Sequence, residues 1–208
     1  MTTGLSLGAL LAFAAVFGAA AAAPGPTVAA LVARVLGQGR RGILPFCLGL
    51  IAGDLLWLAA AVLGLGMVVA LFQPVFVALK YLGAAYLLYL AWRLWTAPVA
   101  MEAATRPPRG EGRRLFLGAI AVVSGNPKTM LFYFALLPTV LPLGRIAPAD
   151  FALLATAVVI VYGAILVGYV LAADRAGRVF TSAIARRRVN RATGAAMAGA
   201  AVAVASRG

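Results

Sequence analysis

The chain has 208 residues, 64% of them apolar and 11% charged, with a formal net charge of +13 and a mean hydropathy of +1.02. An ordinary soluble domain is about 45–50% apolar and about 25% charged. A soluble fold of this length cannot hide so much apolar surface, so a lipid bilayer must be its solvent, and soluble enzymes and disordered tails are excluded.

A membrane-spanning helix takes about 20 mostly apolar residues. In chain order, residues 4–23 form a first uncharged stretch, and 43–72 a second, interrupted only by Asp54. Residues 74–92 form a third with Lys80 near its start, and 115–138 a fourth containing Asn126 and Lys128. Residues 151–173 form a fifth, and 191–206, short and rich in Ala and Gly, a sixth. The first stretch ends in Ala19–Ala23, as a signal peptide does, but Met1-Thr2-Thr3 lacks a positive n-region, so it reads as a retained helix.

The expected fold is therefore an all-α membrane protein with six transmembrane helices in one integral domain, 1–208. Residues 1–95 form a first three-helix half, 96–114 a basic cytoplasmic loop and 115–208 a second half. Basic residues alternate between connections. Arg34, Arg40 and Arg41, then Arg93, Arg106, Arg109, Arg113 and Arg114, then Arg175, Arg178, Arg186, Arg187, Arg188 and Arg191 fall in the odd ones. The even connections and the C-terminus hold only Lys80, Arg145 and Arg207. Basic loops face the cytoplasm, which places both termini outside, in a bacterial inner (plasma) membrane. Because these charges flank spans and form no single patch, they read as topology signals and lipid contacts, and no nucleic-acid partner is expected.

Two spans are interrupted. Pro24-Gly25-Pro26 follows the first stretch, where two prolines remove backbone donors and the glycine frees the chain. This is either a turn at the membrane surface or a broken helix facing a wet cavity. In the fourth span, Ser124-Gly125-Asn126-Pro127-Lys128 places an amide and an ammonium among apolar residues that continue on both sides. A mid-span cation costs about 2.5–3.5 kcal/mol on the insertion scale and is functional by default. Both interruptions fall in the first helix of a three-span half, which makes the halves candidate inverted repeats with a midplane substrate site. That arrangement requires Pro24–Pro26 and Asn126–Lys128 to lie together.

Asp54 is the acidic residue inside a span. It must face the bundle interior, pair with a base or hold a proton, which makes it the candidate for proton coupling, with Lys128 as a partner. Gly49 and Gly53, one helical turn apart, fit either close packing or substrate clearance. Lys80, Tyr81, Trp92 and Trp95 read as interfacial anchors.

These residues resemble the lysine exporter (LysE/RhtB) family of amino-acid efflux proteins. The likeness lies in Pro24-Gly25-Pro26 and the Gly-rich turn after it, Gly49 and Gly53-Asp54, the run from Lys80-Tyr81-Leu82-Gly83 to Tyr89-Leu90, Gly118, Asn126-Pro127-Lys128 and Phe132-Tyr133-Phe134. The resemblance covers almost the whole chain. It implies a secondary active exporter of a small amino acid or related metabolite, driven by the proton or ion gradient. It also implies a substrate path framed by Pro24, Gly25, Pro26, Asn126, Pro127 and Lys128. With Asp54 as the sole acidic residue on that path, small neutral amino acids such as threonine or homoserine are expected over basic ones.

Other functions fit less well. An intramembrane enzyme needs a nucleophile–base pair or a metal cluster, and the chain has no His and five acidic residues. A heavy-metal exporter needs soft ligands, and Cys47 is the single thiol, which also precludes a dithiol relay. No cofactor or metal is expected. The expected partners are the small-molecule substrate and membrane lipid, and periodicity leaves open whether the small-residue sixth span packs within the protomer or against a second copy.

Overall fold

A computed structural model describes residues 5–64, 111–141 and 146–179 throughout, and positions 81, 85, 88, 89, 91, 92, 95, 96, 191, 194, 195, 198, 199 and 202 individually. Lys80, Arg145, most of the third and sixth spans and most of the central basic connection lie outside the described residues. Among the described residues every regular element is helical: α1 (Leu7–Ala22), α2 (Pro26–Gln38), α3 (Ile43–Val62), α4 (Glu111–Ser124), α5 (Pro127–Leu131), a π-helical turn (Phe132–Leu136), α6 (Leu137–Val140) and α7 (Pro148–Val179).

Local chemistry sets these limits. Ser6 caps α1, its hydroxyl accepting from the Ala9 N–H at 3.2 Å. Pro26 stands in the first turn of α2, where its missing N–H removes no helical bond. The tight α2–α3 turn uses Gly39 and Gly42 with φ of 64° and 63°, a left-handed conformation costly for other residues. At Gly42 a β-carbon would also stand 2.6 Å from Leu115 Cδ1. The second span was expected to run over 43–72, but α3 stops at Val62 and the chain turns at Gly64, whose φ is +70°. Its 20 residues still cover about 30 Å, one bilayer core. α4 begins at Glu111, an acidic first-turn residue that complements the helix dipole, and so draws Arg113 and Arg114 out of the connection. α7 has 32 residues and extends past the expected 151–173 to include Arg175 and Arg178.

The packing is that of a membrane protein. Phe13, Phe46, Leu50, Tyr133, Leu154 and Leu166 fill the interior, while Leu7, Leu11, Leu44, Leu56 and Ile160 are each more than half exposed. An outer surface this apolar belongs in lipid. α3 and α7 are each long and apolar enough to cross a membrane, and α1 with α2, and α4 with α5 and the start of the π turn, form bent pairs that qualify together. The chain is a multi-pass membrane protein. α3 lies along α4, and α7 packs against α1, α2 and α3.

Ion pairs gather at one end of this bundle. Arg40 meets Asp174 at 2.7 Å, and Glu111 faces Arg34 at 3.9 Å and Arg41 at 3.7 Å. Arg34 also donates to the Arg41 carbonyl at 3.0 Å, and its guanidinium lies 5.9 Å from the Phe46 ring centroid. At the opposite end the Asp150 carboxylate accepts from the backbone N–H groups of Leu5 and Ala147, both at 3.1 Å, and ties the start of α1 to the start of α7. The end of α2 with Arg40 and Arg41, the start of α4 at Glu111 and the stretch of α7 around Asp174 thus share one end of the bundle.

Candidate functional site: the two helix breaks

Both Pro-centred interruptions are real breaks within helices. The chain bends by 56° between α1 and α2, and by 59° between α4 and the helix that resumes at Lys128. A proline cannot donate to the carbonyl four residues before it, so each break orphans an oxygen. At Pro26 that oxygen belongs to Ala22, and the Tyr169 hydroxyl of α7 donates to it at 2.7 Å. At Pro127 it belongs to Val123, and the Trp57 indole N–H of α3 donates to it at 3.3 Å, joined by the Asn126 N–H at 3.0 Å. Each break is therefore closed by an aromatic donor on the helix packed against it, which meets the demand that buried backbone groups be satisfied in lipid.

The breaks also touch one another. Asn126 Nδ2 donates to Thr27 Oγ1 at 2.7 Å in a buried bond between the starts of α5 and α2. Lys128 Nζ donates to the Ala23 carbonyl, and a β-carbon on Gly25 would stand 3.5 Å from that ammonium. Pro24–Pro26 and Asn126–Lys128 therefore lie together. The two N-termini differ in their caps. Asn126 Oδ1 accepts from the Lys128 N–H at 3.1 Å and caps α5. The N-cap of α2 is Gly25, which has no side chain to accept from the N–H groups of the first turn.

A small open cavity lies where the breaks meet. Gly25, Thr27 and Val28 line it from the start of α2, and Asn126, Lys128 and Thr129 from the start of α5. Asp54 enters from α3, and Phe17, Ala20, Ala21, Phe132 and Tyr162 form the apolar remainder of the wall. The Asp54 side chain is buried, with 5% of the residue exposed. It is faced by the Tyr133 hydroxyl and by Lys128, with Tyr162 also close. The Tyr133 hydroxyl, although beside Asp54, makes no hydrogen bond of good geometry. The ion pairs formed among the described residues sit at the basic end of the bundle, and none joins Asp54 to Lys128. Asp54 and Lys128 thus line one cavity, close enough to act on each other but without a direct ion pair.

Of the residues expected on the path, Gly25, Asp54, Asn126 and Lys128 line this cavity, and Pro24, Pro26 and Pro127 form the breaks that open it. Gly49 and Gly53 sit elsewhere, in the seam between α3 and α4. A β-carbon on Gly49 would run into the Phe116 carbonyl and stand 2.8 Å from Ala119 Cβ, and one on Gly53 would stand 2.8 Å from Val123 Cβ. Their smallness lets the two backbones approach, the packing role that the spacing had left open. Sequence reasoning missed Phe17, Thr27, Tyr162 and Tyr169. Thr27, the polar residue next to a helix-breaking proline, carried a signal. The aromatics did not, because nothing in the order of residues distinguishes an aromatic facing a cavity from one facing lipid. Tyr133 was legible only as part of the Phe132-Tyr133-Phe134 run. The π turn that carries these three precedes Pro138, and the Leu137 N–H reaches back to the Phe132 carbonyl. Such turns recur at functional sites, and here Phe132 faces the cavity, Tyr133 faces Asp54, and Phe134 packs edge-on to Trp57 at 5.4 Å.

Comparison with known proteins agrees with this architecture. The chain is 30% identical over 140 residues to the homoserine/homoserine lactone efflux protein of Salmonella typhimurium, covering 67% of this chain and 68% of that one. It is 27% identical over 177 residues to an uncharacterized membrane protein of Vibrio cholerae, covering 85% and 86% respectively. No solved structure gives a significant match. The family described as LysE type translocator matches residues 18–208, so the chain belongs to the LysE type translocators, and both helix breaks and every residue lining the cavity except Phe17 fall inside the matched region.

Proposed function

We propose that this protein is a secondary active exporter of small neutral amino acids, with threonine and homoserine the first candidates, working as an antiporter against the proton or ion gradient in a bacterial inner membrane. One observation carries the reading. Asp54 and Lys128, a carboxylate and an ammonium, face one cavity at the meeting point of two Pro-broken helices. Intramembrane ionisable groups of this kind mark substrate and proton pathways, and paired broken helices mark the midplane site of secondary transporters. The name of the Salmonella relative adds homoserine and its lactone as compounds to try.

The same reading makes the two halves, 1–95 and 115–208, inverted repeats. Two matched features support it. Each half begins with a helix broken at proline, and each break is closed by an aromatic donor from a helix that follows a break in its own half, Trp57 of α3 and Tyr169 of α7, acting across to the other half. Both termini then lie outside, with the Arg34–Glu111 and Arg40–Asp174 pairs at the cytoplasmic end. Asp54 carries the coupling proton.

The test is efflux from cells preloaded with labelled amino acids, with and without a protonophore. Protonophore-sensitive efflux of threonine, homoserine or both is the expected result, and Asp54→Asn should abolish it while the protein still inserts. Full gradient-driven efflux in Asp54→Asn removes Asp54 from coupling. No efflux of any amino acid by an inserted wild-type protein moves the function to other small metabolites.

A further inference from the structure

We infer that the cavity reads both ends of a zwitterion, with the substrate α-carboxylate at Lys128 and the uncapped start of α2, and the α-ammonium at Asp54. The inference rests on the exporter reading above and adds the orientation of the substrate and the reason one carboxylate serves two ligands.

The two poles of the cavity have opposite character. On one side, an ammonium has three donor hydrogens, and Lys128 directs one of them at the Ala23 carbonyl, leaving the others for the cavity that it lines. Beside it, Gly25 presents no side chain, and Thr27 and Val28 belong to the first turn of a 13-residue helix that no side chain caps. Uncapped N–H groups together with the positive end of the helix dipole favour an anion. A fixed cation next to such an end makes this the carboxylate pole. The matching start of α5 is closed to this role, because Asn126 already caps it.

On the other side, Asp54 is the negative group on the cavity wall, and it comes from α3, a different element from those that build the anion pole. The groups that face it are Lys128 from α5, Tyr133 from the π turn and Tyr162 from α7. Lys128 is not within ion-pair distance, so the carboxylate has room for a second cation. The apolar part of the wall includes Phe17, Ala20, Ala21 and Phe132, which offer no charge to a substrate side chain. That wall admits a small neutral side chain and opposes a charged one, since desolvated charge without a partner is costly.

A single carboxylate cannot hold a proton and an ammonium together. Departure of the substrate frees Asp54 to take one proton, and loss of that proton restores the site for the next substrate ammonium. Export of one zwitterion is thereby exchanged for entry of one proton, with no covalent step.

The experiment is counterflow of labelled L-threonine, and in parallel L-homoserine, in proteoliposomes holding the full chain, with unlabelled analogues as competitors. L-threoninamide lacks the carboxylate and N-acetyl-L-threonine lacks the ammonium. A lost charge-assisted hydrogen bond corresponds to about tenfold or more in affinity, so both analogues should compete at least about tenfold less well than L-threonine. In Lys128→Gln, L-threonine should weaken to the level of L-threoninamide, whose own competition should barely change. N-acetyl-L-threonine competing as well as L-threonine would overturn the Asp54 pole. Lys128→Gln weakening L-threonine and L-threoninamide equally would overturn the Lys128 pole. Should Lys128→Gln fail to insert, the analogue series on the wild-type protein decides alone, and equal competition by all three compounds overturns the inference. Absence of counterflow for both labelled amino acids in the wild-type protein fails the exporter reading itself and takes the orientation with it, whereas counterflow without discrimination fails only the orientation.

Discussion

The two helix breaks are built alike and finished differently. Both bend the chain by nearly 60° at a proline, and both hand the orphaned carbonyl to an aromatic donor from a packed neighbour. The first break then ends in Gly25 and leaves the start of α2 uncapped, whereas the second caps itself with Asn126 and places Lys128 in its first turn. The first offers backbone donors and a dipole, and the second a mobile charge. Two similar breaks thus present different chemistry to one cavity, which two identical breaks would not do. Asp54 has no equivalent among the described residues of α7 that line the cavity, where Tyr162 stands instead.

The sharpest way to break this contrast is to remove the charge that only the second break carries. Lys128→Ala should lower transport by at least about tenfold through loss of a charge-assisted contact, measured as initial efflux rate at matched membrane abundance. Lys80→Ala, at an expected interfacial anchor, should have a smaller effect, and equal losses would erase the distinction between the two lysines. Next in size is Asn126→Ala, which removes both the α5 cap and the buried bond to Thr27. Loss of a cap costs about 0.5–2 kcal/mol, so thermal unfolding in detergent should move down by several degrees. Thr27→Val deletes only the bond between the breaks and should move it less; if the two variants shift equally, the cap contributes nothing.

Smaller again is a matched pair, Trp57→Phe and Tyr169→Phe, each of which leaves one orphaned carbonyl without its aromatic donor. An unsatisfied buried acceptor costs about 1–3 kcal/mol. That cost falls on Tyr169→Phe, since the Val123 carbonyl keeps the Asn126 N–H after Trp57→Phe, so Tyr169→Phe should lower the unfolding temperature further, and the reverse order would show that the second break is the more demanding of the two. The mildest change is Gly25→Ala. Its backbone is extended, with φ of −166°, and the new carbon would meet Lys128 Cδ at 3.4 Å in ordinary contact. Folding should be unaffected while the apparent KM for the exported amino acid rises modestly as the cavity narrows, and an unchanged KM would place the substrate away from Gly25.

Much of this site was legible in the order of residues. Asp54 and Lys128 stood out because an ionisable group in a membrane span is costly, and Pro24, Pro26 and Pro127 because proline must interrupt a helix. The extent of the spans was less legible. Hydropathy carried the second span to 72, since an apolar run continues past Gly64, but a left-handed glycine ends a helix whatever its neighbours are. Gly49 and Gly53 allowed two roles because a missing side chain shows only that something comes close. The neighbour is α4, more than sixty residues away along the chain.

Composition and local stereochemistry therefore determined by themselves that this is a helical membrane protein, that the chain breaks at Pro24–Pro26 and at Pro127, and which two charges fall within apolar stretches. These properties depend on residue type and on neighbours a few positions apart, and both are written in one dimension. Only the tertiary structure decided that the breaks meet, that Asn126 bonds Thr27 across 99 positions of chain, and that Tyr169 and Trp57 close opposite breaks. It also put Asp54 and Lys128 on one cavity with no direct ion pair between them. Those are contacts between distant helices, set by how small residues and aromatics pack face to face in lipid, and periodicity along a single helix contains no record of its partner.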